Sequence, residues 1–273
     1  MSFIKDKVVL ITGGSSGIGK ACAQRFGKEG ARVCITGRNA ESLAATAADL
    51  SAKGIEVITV QGDVAMEQDC VRMVNETLNQ YGRIDVLINN AGISMRAMFK
   101  DVDLKVIRQL MEINFFGTVY CTKYALKPLL KHKGTVVGIS SIAGFQGLPG
   151  RTGYSASKFA MQGFLDALRL ENHNTGLNVL TVCPGYTESN IRNAALVADG
   201  SSQGESPRDE ANMMTSEEVA DHIFNAVRNR KQKLILTTQG KLSYFLSKFL
   251  PRVVDRLVIK TIESEGDLPS KKG

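Results

Sequence analysis

The run Val8-Val9-Leu10-Ile11-Thr12 stops at Gly13-Gly14-Ser15-Ser16-Gly17-Ile18-Gly19, and a helical pattern follows at once. An apolar strand without polar alternation is buried on both faces, which is the habit of a central parallel strand rather than a surface one. Glycines at 13, 17 and 19 permit a tight turn and close backbone approach. The helix that starts there presents unpaired N–H groups, the arrangement that holds a pyrophosphate. Ser15, Ser16 and Ile18 belong to the same loop. A turn without function has the same local spelling, so the rest of the chain has to decide.

The strand-then-helix unit repeats. Short β-branched runs fall at 8–12, 32–36, 56–61, 85–89, 135–140, 178–183 and 233–236, with helical patterns at 18–29, 40–53, 67–81, 103–131, 154–174 and 216–229. That alternation predicts an α/β, doubly wound Rossmann-type parallel sheet of about seven strands with helices on both faces. A length of 273 residues is satisfied by one such domain, taken as 1–240, with a basic amphipathic helical extension over 241–273. Within the domain, the polar stretch at about 186–215 is too long to be a plain connection and is read as a substrate loop.

Charge is distributed unevenly. From Arg228 onward there are 11 basic and 4 acidic residues, a surplus that equals the whole formal charge of +7 and leaves the folded body neutral. No nucleic-acid-binding module is recognisable, and nucleic acid is not expected as a partner. The five cysteines (22, 34, 70, 121, 183) lie among apolar residues with no C-x-x-C pair. Neither they nor the histidines 132, 173 and 222 have metal-ligand spacing, so no metal is expected. The N-terminal residues run directly into the first strand, with no signal-peptide pattern, and a cytoplasmic protein is expected.

At the end of the second strand Gly37 stands where a carboxylate would bind the adenine ribose of NAD, and Arg38 follows. A guanidinium can grip a 2′-phosphate through charge-assisted hydrogen bonds, so NADP(H) is preferred over NAD(H); the alternative is a solvated arginine at a helix start.

The ordered set of Thr12 to Gly19, Asn89-Asn90-Ala91-Gly92, Asn114, Ser141, Tyr154-x-x-x-Lys158 and Pro184-Gly185 resembles the short-chain dehydrogenase/reductase family over about residues 5 to 236. The resemblance implies that Asp63 and Val64 contact the adenine, and that Asn90, Ala91 and Gly92 approach the cofactor. It places Ser141, 13 residues before Tyr154, beside the substrate carbonyl. It gives Asn114 a water that connects Lys158 to solvent, and it gives Pro184, Gly185 and Thr187 or Ser189 the nicotinamide end.

Tyr154 and Lys158, four apart on a helix, share a face. An ammonium near a phenol favours the phenolate and lowers its pKa, which suits proton transfer at neutral pH. The expected reaction is reduction of a ketone, or oxidation of the secondary alcohol, with Tyr154 as general acid/base, Ser141 hydrogen-bonding the oxygen and Lys158 holding the ribose. The resemblance thus implies a carbonyl reductase or alcohol dehydrogenase.

Candidate pocket residues Ser94, Met95, Arg96, Phe145, Gln146, Leu148, Tyr186, Met213 and Met214 are largely apolar, which suits a lipophilic carbonyl substrate and a place in lipid metabolism. The tail has apolar residues at 242, 246, 249, 253 and 257 beside a basic ridge of Lys248, Arg252, Arg256 and Lys260, with Pro251 placed to interrupt or kink the helix. Three roles are open for residues 241–262: cover for a partner chain in a homo-dimer or homo-tetramer, closure of the pocket, or peripheral contact with an anionic membrane. The tail also resembles that of a sub-branch of lipid or steroid ketone reductases. Two other functions are consistent with these residues: a 3-oxoacyl-thioester reductase and a non-catalytic nucleotide-binding regulatory protein.

Overall fold

The computed structural model describes residues 2–185, 187, 191, 194–204 and 213–264. Strands β1 (Val8–Thr12), β2 (Arg32–Gly37), β3 (Val57–Gln61), β4 (Val86–Asn89), β5 (Thr135–Ile139), β6 (Asn178–Cys183) and β7 (Lys233–Ile235) form one parallel sheet in the order β3-β2-β1-β4-β5-β6-β7. Every residue of β1, β4, β5 and β6 is buried, which accounts for their unbroken apolar spelling. Val9 pairs with Val33 on one side and Val86 on the other. The strand order therefore reverses between β1 and β4, and the crevice beyond their carboxyl ends is the natural ligand site.

The helices are α1 (Gly17–Lys28), α2 (Ala40–Ala52), α3 (Glu67–Tyr81), α4 (Leu104–Leu110), α5 (Gly117–Lys131), α6 (Thr152–Glu171), α7 (Ser216–Arg228), α8 (Thr238–Phe249) and α9 (Pro251–Ser264). On one face of the sheet Phe26, Leu43, Leu50 and Phe224 pack on Val9, Val33 and Ile35; on the other Met73, Cys121, Met161 and Leu165 pack on Leu10, Leu87 and Val136. Local chemistry fixes the helix ends. Asn39 accepts from the Ser42 N–H to start α2, Thr215 and Glu218 form a reciprocal box at the start of α7, and Gly82, at φ 72°, closes α3. All five cysteines are free and buried, as their apolar neighbours suggested, and burial pushes the Cys22, Cys34 and Cys183 thiols up to about 12.

One expectation needs correction. The helix expected over 103–131 is three pieces, because a π-helical turn, Met111–Phe116, separates α4 from α5, with the Gly117 N–H bonded to the Glu112 carbonyl. The tail is two helices, interrupted at Pro251. Leu250, at φ −132° and ψ 56°, ends α8, and Pro251 opens α9 at the first helical position, where its missing N–H costs nothing. That break resets the helical phase. Val254 and Ile262 turn inward, while Leu242, Phe249, Val253 and Leu257, four of the five apolar residues of the stripe, are exposed.

Candidate active site

The carboxyl ends of β1 and β4 are sewn together by side chains. Thr12 Oγ1 accepts from the backbone N–H groups of Asn90 and Ala91, both at 3.0 Å, and Asn90 Nδ2 donates to the carbonyls of Thr12 and Gly13 at 3.0 and 2.9 Å. The glycine loop is as tight as the sequence suggests. Gly13 has φ 64°, and a Cβ on Gly19 would stand 2.2 Å from the Gly13 carbonyl oxygen. Only glycine lets the first turn of α1 sit this close to the loop, with its N–H groups open to the crevice.

A cavity of about 1170 Å³ runs from this loop across the sheet to the tail. Of the residues expected to bind cofactor, Gly13, Ser15, Ser16, Gly17, Ile18, Arg38, Asp63, Val64, Asn90, Ala91, Gly92, Pro184, Gly185 and Thr187 all line it. Gly19 lies behind the loop as a packing residue. Ser189 and Tyr186 lie outside the described residues. Asp63 Oδ1 accepts from the Ala65 N–H, so its carboxylate shapes its own turn as well as facing the cavity. At the end of β2, a Cβ on Gly37 would meet nothing closer than Ser15 Oγ at 3.6 Å; the glycine leaves space beside the exposed Arg38.

Ser141, Tyr154 and Lys158 also line the cavity. Ser141 follows β5 and accepts from the Ala143 N–H at 3.1 Å, which fixes its rotamer, and its hydroxyl is hydrogen-bonded to Tyr154. Lys158 is buried and donates to the Ile139 carbonyl at 2.8 Å, with its ammonium 5.8 Å from the centre of the Tyr154 ring. Burial pulls the Lys158 pKa down to about 8. The expected depression of Tyr154 is not found in the chain by itself. Burial raises its pKa, opposed by the Ser141 hydrogen bond and the charge of Arg151, and the net shift is upward. Tyr154 is thereby kept protonated, as a proton donor must be.

Asn114 does not touch the cavity. It is fully buried in the π turn, where its amide accepts from the Ile93 N–H at 2.8 Å and donates to the Ile93 carbonyl at 3.0 Å and to Ser157 Oγ at 2.9 Å. Its carboxamide oxygen would lie 3.0 Å from a Cβ on Gly92, and Lys158 Nζ 3.4 Å from the same point, so Gly92 keeps that corner open. The expected pocket residues divide. Ser94, Arg96, Gln146, Leu148 and Met214 line the cavity and Met213 does not; Met95 is fully buried, and Phe145 turns to Tyr244 with ring centres 5.1 Å apart.

Sequence reasoning missed three contributors. Ser157 links Asn114 to the Tyr154 carbonyl, and Gln162 donates to Ser140 Oγ at 3.0 Å behind Ser141. Thr237 lines the cavity at φ 64° and caps α8 through the Gly240 N–H. Closure of the pocket, one of the three roles open for the tail, has a geometric counterpart: Leu246, Val254, Val258 and Ile262 form an apolar wall of the cavity. Position i+3 after Tyr154 was the available signal for Ser157. The others depend on contacts between distant segments.

The family model for short chain dehydrogenases matches residues 7–198. Dehydrogenase/reductase SDR family member 7B of Rattus norvegicus is 36% identical over 272 residues, which is 97% of this chain and 84% of that protein. A short-chain dehydrogenase/reductase from Burkholderia phymatum, solved with NAD, superposes with a TM-score of 0.83 at 21% identity over 93% of this chain and 96% of its own. An alcohol dehydrogenase from Thermococcus sibiricus, solved with 5-hydroxy-NADP, gives 0.75 at 22% identity over 84% and 95%.

Proposed function

The chain belongs to the short-chain dehydrogenase/reductase family, and on that premise we propose that it reduces the ketone of a lipophilic substrate with NADPH. One observation carries the reading: Ser141, Tyr154 and Lys158 meet in a single cavity that joins the glycine loop at one end to the apolar wall of α8 and α9 at the other. The residues present fit a dinucleotide, since the loop glycines are required by contact and Arg38 stands beside the side-chain-free Gly37. When bound, NADPH supplies the hydride that adds to the carbonyl carbon.

The chain's own residues do the rest. The Tyr154 hydroxyl, held protonated by burial, delivers its proton to the carbonyl oxygen as negative charge develops there. Ser141, its rotamer fixed by the Ala143 N–H, donates to the same oxygen. Lys158 would hold the nicotinamide ribose and, with its pKa lowered to about 8, return a proton to Tyr154, while buried Asn114 would position the Lys158 corner beside Gly92. Arg38 would pair with the 2′-phosphate, while Asp63 and Val64, which line the same cavity, would hold the adenine. Exposed Tyr124 of α5 and Phe159 of α6 support assembly as a homo-dimer or homo-tetramer. The test is a panel of long-chain ketones, steroid ketones, 3-oxoacyl thioesters and small sugars, each with NADPH and NADH. The reading expects turnover of lipophilic ketones with NADPH, and activity confined to small polar carbonyls contradicts it.

A further inference from the structure

Of the thirteen large apolar side chains exposed among the described residues, seven belong to the two tail helices: Leu242, Phe245, Phe249, Leu250, Val253, Leu257 and Ile259. Phe245 is 62% exposed and Phe249 67%, and their rings lie 5.1 Å apart. A soluble surface scatters such residues singly; a cluster on one element marks a contact. Over residues 238–264 the charged groups are Lys241, Lys248, Arg252, Arg256 and Lys260 against Asp255 and Glu263.

We propose that the outer face of α8 and α9 docks on an anionic lipid surface. Charge decides among the occupants. A second copy meeting this face across a twofold axis would bring the same basic ridge against itself, which is repulsive. A membrane rich in acidic headgroups satisfies both parts at once, with rings and aliphatic chains entering the interface and the basic groups remaining among the phosphates. Among the described residues no helix is long and apolar enough to cross a membrane, so the contact is peripheral.

The same helices give the docking a purpose. Leu242 and Leu257 are exposed and also line the cavity, so the apolar outer face continues into the mouth of the pocket. The hairpin is tied to the catalytic domain by Gln146 Nε2, which donates to Asp255 Oδ1 at 3.3 Å, and by the contact of Phe145 with Tyr244. A lipid-dissolved ketone could enter from the membrane without crossing water. That purpose rests on the proposed function; the docking does not.

The test is sedimentation of the full chain, without cofactor or substrate, with vesicles of phosphatidylcholine alone or of equal parts phosphatidylcholine and phosphatidylserine. Binding is expected to the mixed vesicles, weakening as salt is raised. Arg256→Glu with Lys260→Glu should weaken it by at least about fivefold per basic group lost. Phe245→Ser with Phe249→Ser should abolish it, with the far-ultraviolet spectrum and NADPH binding unchanged. Wild-type protein that stays in solution with both vesicle types overturns the proposal. So does a dimer that the Phe245→Ser, Phe249→Ser variant dissociates, because the face then belongs to a second copy. Failure of the ketone reduction would appear only in the turnover assay and would leave the vesicle result standing.

Discussion

Asn114 in the π turn donates to Ser157 in α6 at 2.9 Å, and Ser157 donates to the carbonyl of Tyr154 at 2.8 Å. The wide turn and α6, which carries Tyr154 and Lys158, are thus coupled through one buried amide, which also bonds both backbone groups of Ile93. Asn114→Ala leaves the Ile93 groups without these partners. It should lower stability by about 1–3 kcal/mol, since a buried unsatisfied group loses its desolvation compensation. Urea unfolding measures this. Ser157→Ala, which removes one of the three Asn114 bonds, should cost less.

Gly19→Ala puts a methyl group 2.2 Å from the Gly13 carbonyl oxygen, so the loop and α1 must separate. NADPH affinity should fall at least about tenfold, equivalent to about 1.4 kcal/mol, even though alanine is the better helix former. Titration of intrinsic or nucleotide fluorescence reads the change. Unaltered affinity would detach the glycine loop from cofactor binding.

Arg38→Ser should weaken NADPH about 10- to 100-fold, the range expected when a hydrogen bond to a charged group is lost. NADH, which lacks the 2′-phosphate, should bind as before. The ratio of the two KM values is the measurement, and a parallel loss for both cofactors would point to a structural role at the end of β2.

The pH profile follows from two shifts of opposite sign. Lys158, lowered by burial to about 8, loses its charge as pH rises through about 8. Tyr154, raised above its ordinary value, remains protonated there. The rate of ketone reduction should therefore be level below this pH and fall above it, with the ribose-binding ammonium gone and the proton donor still in place. Lys158→Arg keeps its charge throughout. Its residual rate should lack the inflection near 8.

Much of the architecture was legible in the sequence. Strands covered on both faces need apolar residues at every position, so β1, β5 and β6 announce themselves without alternation. The glycine loop was legible because its contacts are local: Gly19 opposes Gly13, six residues away. The π turn was not, since Asn114 is held by Ile93, 21 residues earlier, and Ser157, 43 residues later. The tail was legible in part. Its amphipathic period and the interruption at Pro251 lie in the sequence, but which apolar residues face the cavity and which face outward depends on contacts with distant segments. The Tyr154 shift depended on burial, which no i to i+4 spacing reports.

Tyr154→Phe tests the central claim most directly, because it removes one oxygen from the cavity wall and leaves the glycine loop and Arg38 intact. NADPH oxidation with a ketone that the wild-type chain reduces should drop by at least about 10²-fold, the scale of a lost general acid. NADPH titration of the same variant should give wild-type affinity within about twofold, less than the factor of ten that 1.4 kcal/mol represents. Turnover at the wild-type rate in that variant would contradict the account.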